Sequence, residues 1–403
     1  MKRVTAVMLL LALLLCGCAP GSADLTQGIT PNPVEDAGQS GLDAMDFAVS
    51  LFQNSVTKGE NTLVSPLSVL SALAMTANGA EGETLTQMEQ VLGGTKADLN
   101  AWTRSYLEGV EESDALTLAN AIWFNENAHF EVAEEFLQTN ADHFGAGLFA
   151  APFDDSTLKD INGWVKKNTG GMIDGILDQI SADAVMYLVN ALAFDAKWAE
   201  PYREDQIHEG TFNTGDGRRQ AVEMMYSSVW DYLENDRATG FIRYYEGNDY
   251  AFVALLPKAG ITVPELVESL DGDALTALLA QPQNVEVRTA LPKFEAETSL
   301  ELSEILKAMG MTDAFEFGKA DFTGMGSGEL FISRVLHKTF VSVDAQGTKA
   351  GAATAVEVKY GAAIPTEEIK QVYLERPFVY MLVDCENGLP FFMGACMEME
   401  GAK

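Results

Sequence analysis

The stretch Val341-Ser-Val-Asp-Ala-Gln-Gly-Thr-Lys-Ala-Gly-Ala-Ala-Thr-Ala-Val-Glu-Val-Lys-Tyr360 decides how this chain is read. It starts as a strand. Val341 and Val343 alternate with Ser342 and Asp344, the period of two of a half-buried β-strand. Gly347 then opens a run of very small residues, from Thr348 through Ala350, Gly351, Ala352, Ala353 and Thr354 to Ala355. Such a run cannot hold a core of its own and reads as an exposed loop. Yet every second residue (Thr348, Ala350, Ala352, Thr354, Val356, Val358) is small or β-branched and fits one buried face of a strand. The intervening Lys349, Gly351, Ala353, Ala355, Glu357 and Lys359 tolerate water. The segment is written for two states, a loop outside the body or a strand inside a sheet. A plain small-residue linker or surface strand would carry the same pattern.

Around this stretch lie 403 residues, 47% of them hydrophobic, enough for a large core. The 59 acidic and 26 basic residues give a net charge of −33. Such a surface repels nucleic acid and polyanions, and it keeps an exposed, strand-prone loop from associating with its neighbours. Plain solubility accounts for much of the charge. Met1-Lys2-Arg3 followed by apolar Val4 to Leu15 reads as an export signal over residues 1–17, too short to span a bilayer. Leu15-Cys16-Gly17-Cys18 resembles a bacterial lipobox with Cys18 as the lipidated residue, although Cys16 stands where Ala, Ser or Thr is commoner. Residues 18–40, with Pro31 and Pro33, lack periodicity and read as a flexible tether from that anchor. The protein is thus expected to be lipid-anchored at the bacterial cell envelope, or else secreted. Cys385 and Cys396 read as free, buried, small apolar residues that fall out of register on adjacent strands.

Local patterns give one mixed α+β domain over residues 41–403. Leu42, Met45, Val49, Phe52 and Val56 share a helical face. Ser65 is placed to cap a helix that starts at Pro66 and stops at Asn78-Gly79. Ala115 to Phe124, Ala184 to Phe194, Ala251 to Leu256 and Phe378 to Val383 are apolar and strand-like, and Ser156 to Asn168 reads as a helix. Asn387-Gly388 marks a turn between two late strands. Catalytic arrangements are missing: there is no Gly-x-Ser-x-Gly, His-Glu-x-x-His, Walker loop or Cys-x-x-Cys. Gly324-Met-Gly-Ser-Gly328 lacks the strand-to-helix setting of a phosphate cradle and reads as a surface loop. No enzyme activity, metal or cofactor is expected.

The Gly347-Thr348 hinge and the Ala/Gly/Thr run resemble the hinge of inhibitory serpins. Further serpin-like signatures follow in order: Asn61-Thr-Leu-Val-Ser-Pro-Leu-Ser-Val69, Ile161-Asn-Gly-Trp-Val165, Leu188-Val-Asn-Ala191 with Lys197-Trp198, and Leu291-Pro-Lys-Phe294. Val335-Leu-His-Lys338, Arg376-Pro-Phe378 and Phe391-Phe-Met-Gly394 complete the series. The resemblance covers roughly residues 41–399. It implies the serpin fold, three β-sheets and about nine helices, with an exposed reactive-centre loop at about residues 347–366. It implies a hinge at Gly347, Thr348, Ala350, Ala352 and Thr354, and a sheet-opening region around Ser65, Ser68, Asn190, His337, Trp198 and Lys293. In the family, the counterpart of His337 hydrogen-bonds beneath the centre of the sheet and is not a general base. The helix of Ser156 to Asn168 would cross the sheet face.

The resemblance also implies a mechanism. A protease attacking the loop forms an acyl intermediate with it. The freed loop then inserts as a central strand and carries the protease away. About fourteen new strand residues, at roughly 0.5–1.5 kcal/mol net per backbone bond, give on the order of 10–30 kcal/mol before entropy. At about 3.3 Å each they span roughly 46 Å. Two departures stand out. Ala345 occupies a position where the family has Glu paired with the lysine of Leu-Pro-Lys, so Lys293 loses that partner, and Lys349 stands where Glu is common. Easier opening at the top of the sheet follows, with faster insertion and spontaneous collapse to a latent form both open as outcomes.

Counting from the hinge puts the reactive bond at Gly361–Ala362, within a window from Tyr360 to Ala363. Small residues there suit an elastase-like serine protease with a shallow primary pocket. A papain-like protease reading Tyr360, or a subtilisin-like one, is the alternative target. The expected partner is thus a protease, with membrane contact only through the anchor, no nucleic acid, and a monomeric state. The contrasting reading is a non-inhibitory binding lipoprotein on the same fold.

Overall fold

The computed structural model describes residues 21–32, 42, 44–111, 115–128, 130–181, 184–348 and 369–399. Nine α-helices and nineteen strands in three sheets occur among the described residues. The strands open with β1 (Ala23–Asp24), β2 (Thr62–Val64), β3 (Leu116–Asn125), β4 (Glu131–Val132), β5 (Gly147–Ala151), β6 (Met186–Phe194) and β7 (Ala196–Lys197). They continue with β8 (Ile207–Asn213), β9 (Arg219–Glu234), β10 (Ala238–Tyr244), β11 (Tyr250–Pro257), β12 (Gln283–Pro292) and β13 (Phe294–Glu301). The last are β14 (Gly326–Ser327), β15 (Arg334–Val343), β16 (Gly347–Thr348), β17 (Lys370–Tyr373), β18 (Phe378–Asp384) and β19 (Pro390–Cys396).

The first sheet runs β1-β5-β3-β6-β15-β16-β7, with β13 on the outer edge of β15. Its central strands are covered on both faces, which is why β6 is buried throughout and, Asn190 apart, apolar rather than alternating. One cover is the helix Pro66–Ala77, buried all round, whose Leu70 and Leu73 share a core with Leu188 and Leu192. Ser65 caps it by accepting from the Ser68 amide, Pro66 sits at its first position, and it stops at Asn78. The other cover is the helix Asp155–Asn168, opened by an Asp154/Thr157 capping box. Its Ile161 and Val165 pack with Trp123, Tyr187 and Leu336.

The second sheet, β17-β12-β9-β10-β11-β18-β19-β2 with β8 on β9, packs against the helix Ala44–Ser55 through Met45, Val49 and Phe52. β18 and β19 form the expected hairpin across the Asn387-Gly388 turn. Cys396 faces Phe378 at one end of it, while Cys385 lies past the other. Neither cysteine is in a disulfide among the described residues. Cys385 is exposed rather than buried, because it has already left the strand for the turn.

One further expectation is corrected. Of the tether, residues 21–32 are described, and they dock. β1 pairs antiparallel with β5 through Ala23↔Ala150 and Asp24↔Phe149. Ser22 Oγ donates to Asp160 at 2.7 Å, and the Asn32 amide donates to Asp142 at 2.7 Å. The physical reason is the unpaired edge of β5, which a passing extended segment satisfies. Two paired residues are too few to show as periodicity. The glycine run is a surface turn, as expected, and a tight one. A Cβ on Gly324 would meet the Gly79 carbonyl oxygen at 3.0 Å, and one on Gly326 would meet that of Glu131 at 2.0 Å, where β14 pairs β4. These glycines allow close backbone approach.

Candidate functional site: the hinge and the split sheet

β15 ends at Val343, and the chain turns back at once. The Asp344 carboxylate accepts from the Gln346 amide at 2.7 Å and the Gly347 amide at 3.2 Å, an Asx-type turn. Thr348 then faces Val343 across an antiparallel pair. On its far side β16 pairs with β7, Gly347 opposite Lys197 and Thr348 opposite Ala196. A Cβ on Gly347 would lie 2.0 Å from the Ala196 carbonyl oxygen, so only glycine fits there. The hinge therefore begins as a strand already wedged between two others.

Aromatic side chains hold this wedge. Trp198 donates from its indole to the Asp344 carbonyl and from its amide to the Gln346 carbonyl, both at 2.8 Å. The Tyr202 amide donates to the Ala345 carbonyl at 2.8 Å. Tyr245 stacks on Trp198 at 4.5 Å and shares a buried hydrogen bond with the Thr348 hydroxyl. Burial pushes the Tyr245 phenol far above its ordinary range, so that bond keeps its proton across physiological pH. The buried Arg243 guanidinium lies 4.0 Å over the Tyr202 ring and donates to Ser227 Oγ at 3.0 Å and to the Glu200 carbonyl.

Below the wedge the sheet is split. The edge of β15 that faces β6 is occupied at its lower end, Arg334 through His337, by parallel pairing to Tyr187 through Asn190. At its upper end Val343 is occupied by β16. Among the described residues no ladder joins 338–342 of β15 to 191–194 of β6. The gap sits between a hinge that has begun to enter and a base that is still closed.

At the top of that base, His337 faces Asn190. Its Nε2 accepts from the Ser65 amide at 3.0 Å, and Ser65 Oγ in turn accepts from the Ser68 amide at 3.3 Å. The Asn190 amide group donates to Asn120 on β3. Because Nε2 accepts, the neutral ring carries its proton on Nδ1. His337 Nδ1, Asn190 Oδ1 and Ser68 Oγ are buried without a hydrogen-bond partner among the described residues. Burial pushes His337 down to about 4, so it is neutral at physiological pH.

The structure thus brings Ser65, Ser68, Asn190 and His337 together under the sheet, and Trp198, Gly347 and Thr348 together at its top. Lys293 sits across β15 from the hinge, next to Phe294, which faces Val343, and it pairs away from the hinge. Its Nζ lies 3.5 Å from Glu223, a half-exposed pair of small energetic weight. Ala350, Ala352, Thr354, Tyr360, Gly361, Ala362, Ala363 and Cys18 lie outside the described residues. Sequence reasoning missed Tyr202, Arg243, Tyr245 and Asn120. Asn120, a lone amide within the apolar strand from Leu118 to Phe124, carried a readable signal. The others, Tyr202 outside any strand, Arg243 in β10 and Tyr245 just past its end, carried no such signal until the Trp198–Tyr245 bridge brings them together.

Comparison with known proteins agrees with this geometry. A family model described as "Serpin (serine protease inhibitor)" matches residues 43–399. The leukocyte elastase inhibitor of Bos taurus is 31% identical, over 86% of this chain and 96% of its own. A serpin-like protein of Thermococcus kodakarensis is 30% identical, over 87% of this chain and 84% of its own. The crystal structure of a thermophilic serpin, tengpin, in its native state superposes with a TM-score of 0.89 at 44% identity, covering 94% of this chain and all of that one. The same serpin in its latent state gives 0.79 at 43% identity, covering 92% of this chain and all of that one. With a hinge seeded beside an unpaired sheet edge, and with a family match across nearly the whole described body, the chain belongs to the serpin family.

Proposed function

We propose that this serpin is a suicide-type inhibitor of elastase-like serine endopeptidases, acting through insertion of its cleaved loop between β6 and β15. The observation that carries the reading is the pairing of Thr348 with both Val343 and Ala196, beside a stretch of β15 that has no ladder to β6 among the described residues. Two independent registers extend from it. Six residues beyond Thr348 is Thr354, and six residues back along β15 from Val343 is His337. Six residues back from Ala196 is Asn190. Both counts place Thr354 between His337 and Asn190, which already face each other. A hydroxyl arriving there can accept from His337 Nδ1–H and donate to Asn190 Oδ1, two atoms without hydrogen-bond partners among the described residues. The native state leaves unmet a need that the inserted strand would fill.

Small residues at Gly361–Ala362 and the leukocyte elastase inhibitor relative both favour an elastase-like target. The test is to incubate the protein with pancreatic elastase and look for an SDS-resistant complex, together with a large rise in melting temperature after loop cleavage. A nicked protein that melts no higher than the intact one would refute insertion. Thr348→Arg puts a charge at a fully buried position and is expected to convert inhibitor into substrate, lowering complex yield at least tenfold while the loop is still cut.

Export and lipidation at Cys18 are part of the same proposal. Only a few residues separate Cys18 from the docked Ser22, so an anchor there would hold the β1 edge of the body close to the membrane. Cys18→Ser should release the protein from the membrane fraction.

A further inference from the structure

Arg243, near the end of β10, is 6% exposed, and none of the ion pairs among the described residues includes it. A cation taken out of water without a counter-charge is costly, so its remaining contacts must offset that cost. The guanidinium carbon lies 4.0 Å from the centre of the Tyr202 ring and 5.1 Å from that of Trp198. One nitrogen of its fork donates to Ser227 Oγ at 3.0 Å and the other to the Glu200 carbonyl. Its Nε has no hydrogen-bond partner among the described residues.

These contacts lead in two directions. Ser227 Oγ lies 2.9 Å from Thr289 Oγ1, and Thr289 stands between Ser227 of β9 and Val372 of β17, the strand that follows residues 349–368. On the other side, residues 198–202 hold the turn that precedes β16. Trp198 reaches the Asp344 and Gln346 carbonyls, and the Tyr202 amide reaches that of Ala345. Arg243 thus stands between the strand after the loop and the turn before it.

We infer that Arg243 is a positioning residue for insertion, fixing residues 198–202 and, through them, the turn from which β16 enters the sheet. The inference rests on the inhibitor reading above. β16 is two residues long, and so short a strand has little hold of its own. Its seeded register therefore depends on the turn behind it. The bonds from Trp198 and Tyr202 end on residues 344–346, before β16, so the strand can lengthen downward without breaking them. A fixed pivot keeps Thr348 in register while later residues pair. A loose one slows insertion and leaves more time for hydrolysis of the acyl bond. Lysine cannot replace the arginine, because it has neither the planar face nor the fork.

The experiment incubates the variants with pancreatic elastase and reads the ratio of SDS-resistant complex to free cleaved protein. Thermal unfolding, and amide hydrogen exchange of residues 346–348 before cleavage, are measured beside it. The variants are Arg243→Met, Arg243→Lys, Tyr202→Leu and the ring-preserving Tyr202→Phe. Losing one desolvated cation–ring contact changes a rate about tenfold. Arg243→Met, Arg243→Lys and Tyr202→Leu are each expected to lower the ratio by about that factor while the loop is still cut, and to speed exchange at 346–348 by as much. Tyr202→Phe should recover most of both. Arg243→Met combined with Tyr202→Leu should be little worse than either alone, because the two side chains act as a unit. Tyr202→Leu tests the same grip from the ring side should Arg243→Met fail to fold. Variants that melt lower yet keep the wild-type ratio and exchange overturn the positioning role and leave Arg243 a structural residue. Arg243→Lys with wild-type behaviour overturns the planar grip, as does Tyr202→Phe no better than Tyr202→Leu. A wild type that traps no serine protease overturns the inhibitor reading, and the exchange measurement then still decides whether Arg243 holds the turn.

Discussion

At the scale of single residues, the sharpest pH dependence belongs to His337. Its ordinary value is 6.5, and burial alone holds it at about 4. An unfolded chain takes up that proton near pH 6.5, whereas the folded one resists until about pH 4. The unfolded state therefore binds more protons between those limits, so the stabilisation is full above pH 6.5 and is lost as pH falls towards 4. The shift corresponds to on the order of 3 kcal/mol. Protonation would also turn Nε2 into a donor facing the Ser65 amide, another donor. Melting temperatures between pH 7.5 and 4.5 should therefore fall more steeply for the wild type than for His337→Gln, which cannot take up a proton. Equal slopes would mean that the carboxylates alone set the acid response. His337, Ser65, Ser68 and Asn190 could be picked out of the sequence only through the resemblance of the short motifs that hold them. Tyr245 could not, since its role comes from a partner about a hundred residues away, Thr348, that meets it only across the sheet.

Elements were legible where burial imposes a pattern on consecutive residues. The helix Pro66–Ala77 carried its cap and its stop in the sequence, and β6, β11 and β18 are almost wholly apolar because both faces are covered. β1 was illegible, being held by backbone pairing that any residue supplies. The two-residue β16 shows the opposite case: its wedge position follows from Gly347, the one residue whose missing Cβ admits the Ala196 carbonyl. Extending that register yields an element-scale prediction. Thr354→Val preserves shape and β-propensity but removes the hydroxyl proposed to reach His337 and Asn190. The intact protein should unfold at the same guanidinium concentration as wild type. The cleaved form should unfold earlier, by the equivalent of about 1–3 kcal/mol for two buried groups left unmet. An unchanged cleaved form would place another residue opposite His337.

Over the whole molecule, charge governs how a target is met. A net charge of −33 raises a field that attracts cationic bodies and repels anionic ones well before any contact. β17, the strand that follows residues 349–368, starts with the cation Lys370, so the field is not uniform where the chain re-enters the fold. The described ion pairs are mostly exposed and local, as with Arg104–Glu108 and Lys307–Glu304, and they leave much of the acidic excess unpaired. Steering of this kind acts on the association rate and fades as the Debye length shortens, from about 10 Å at 0.1 M salt to about 3 Å at 1 M. Trapping of a basic elastase-type protease should therefore slow at least fivefold between roughly 0.05 and 0.5 M sodium chloride. A protease of the same specificity but acidic surface should be trapped more slowly at low salt and should speed up as salt is added. Stoichiometry should stay constant in both series, because insertion is an internal event in which no second charged body is approached. A stoichiometry that rises with salt would instead mean that ionic strength alters the race between insertion and hydrolysis, and would move the acidic surface from steering into the opening of the sheet itself.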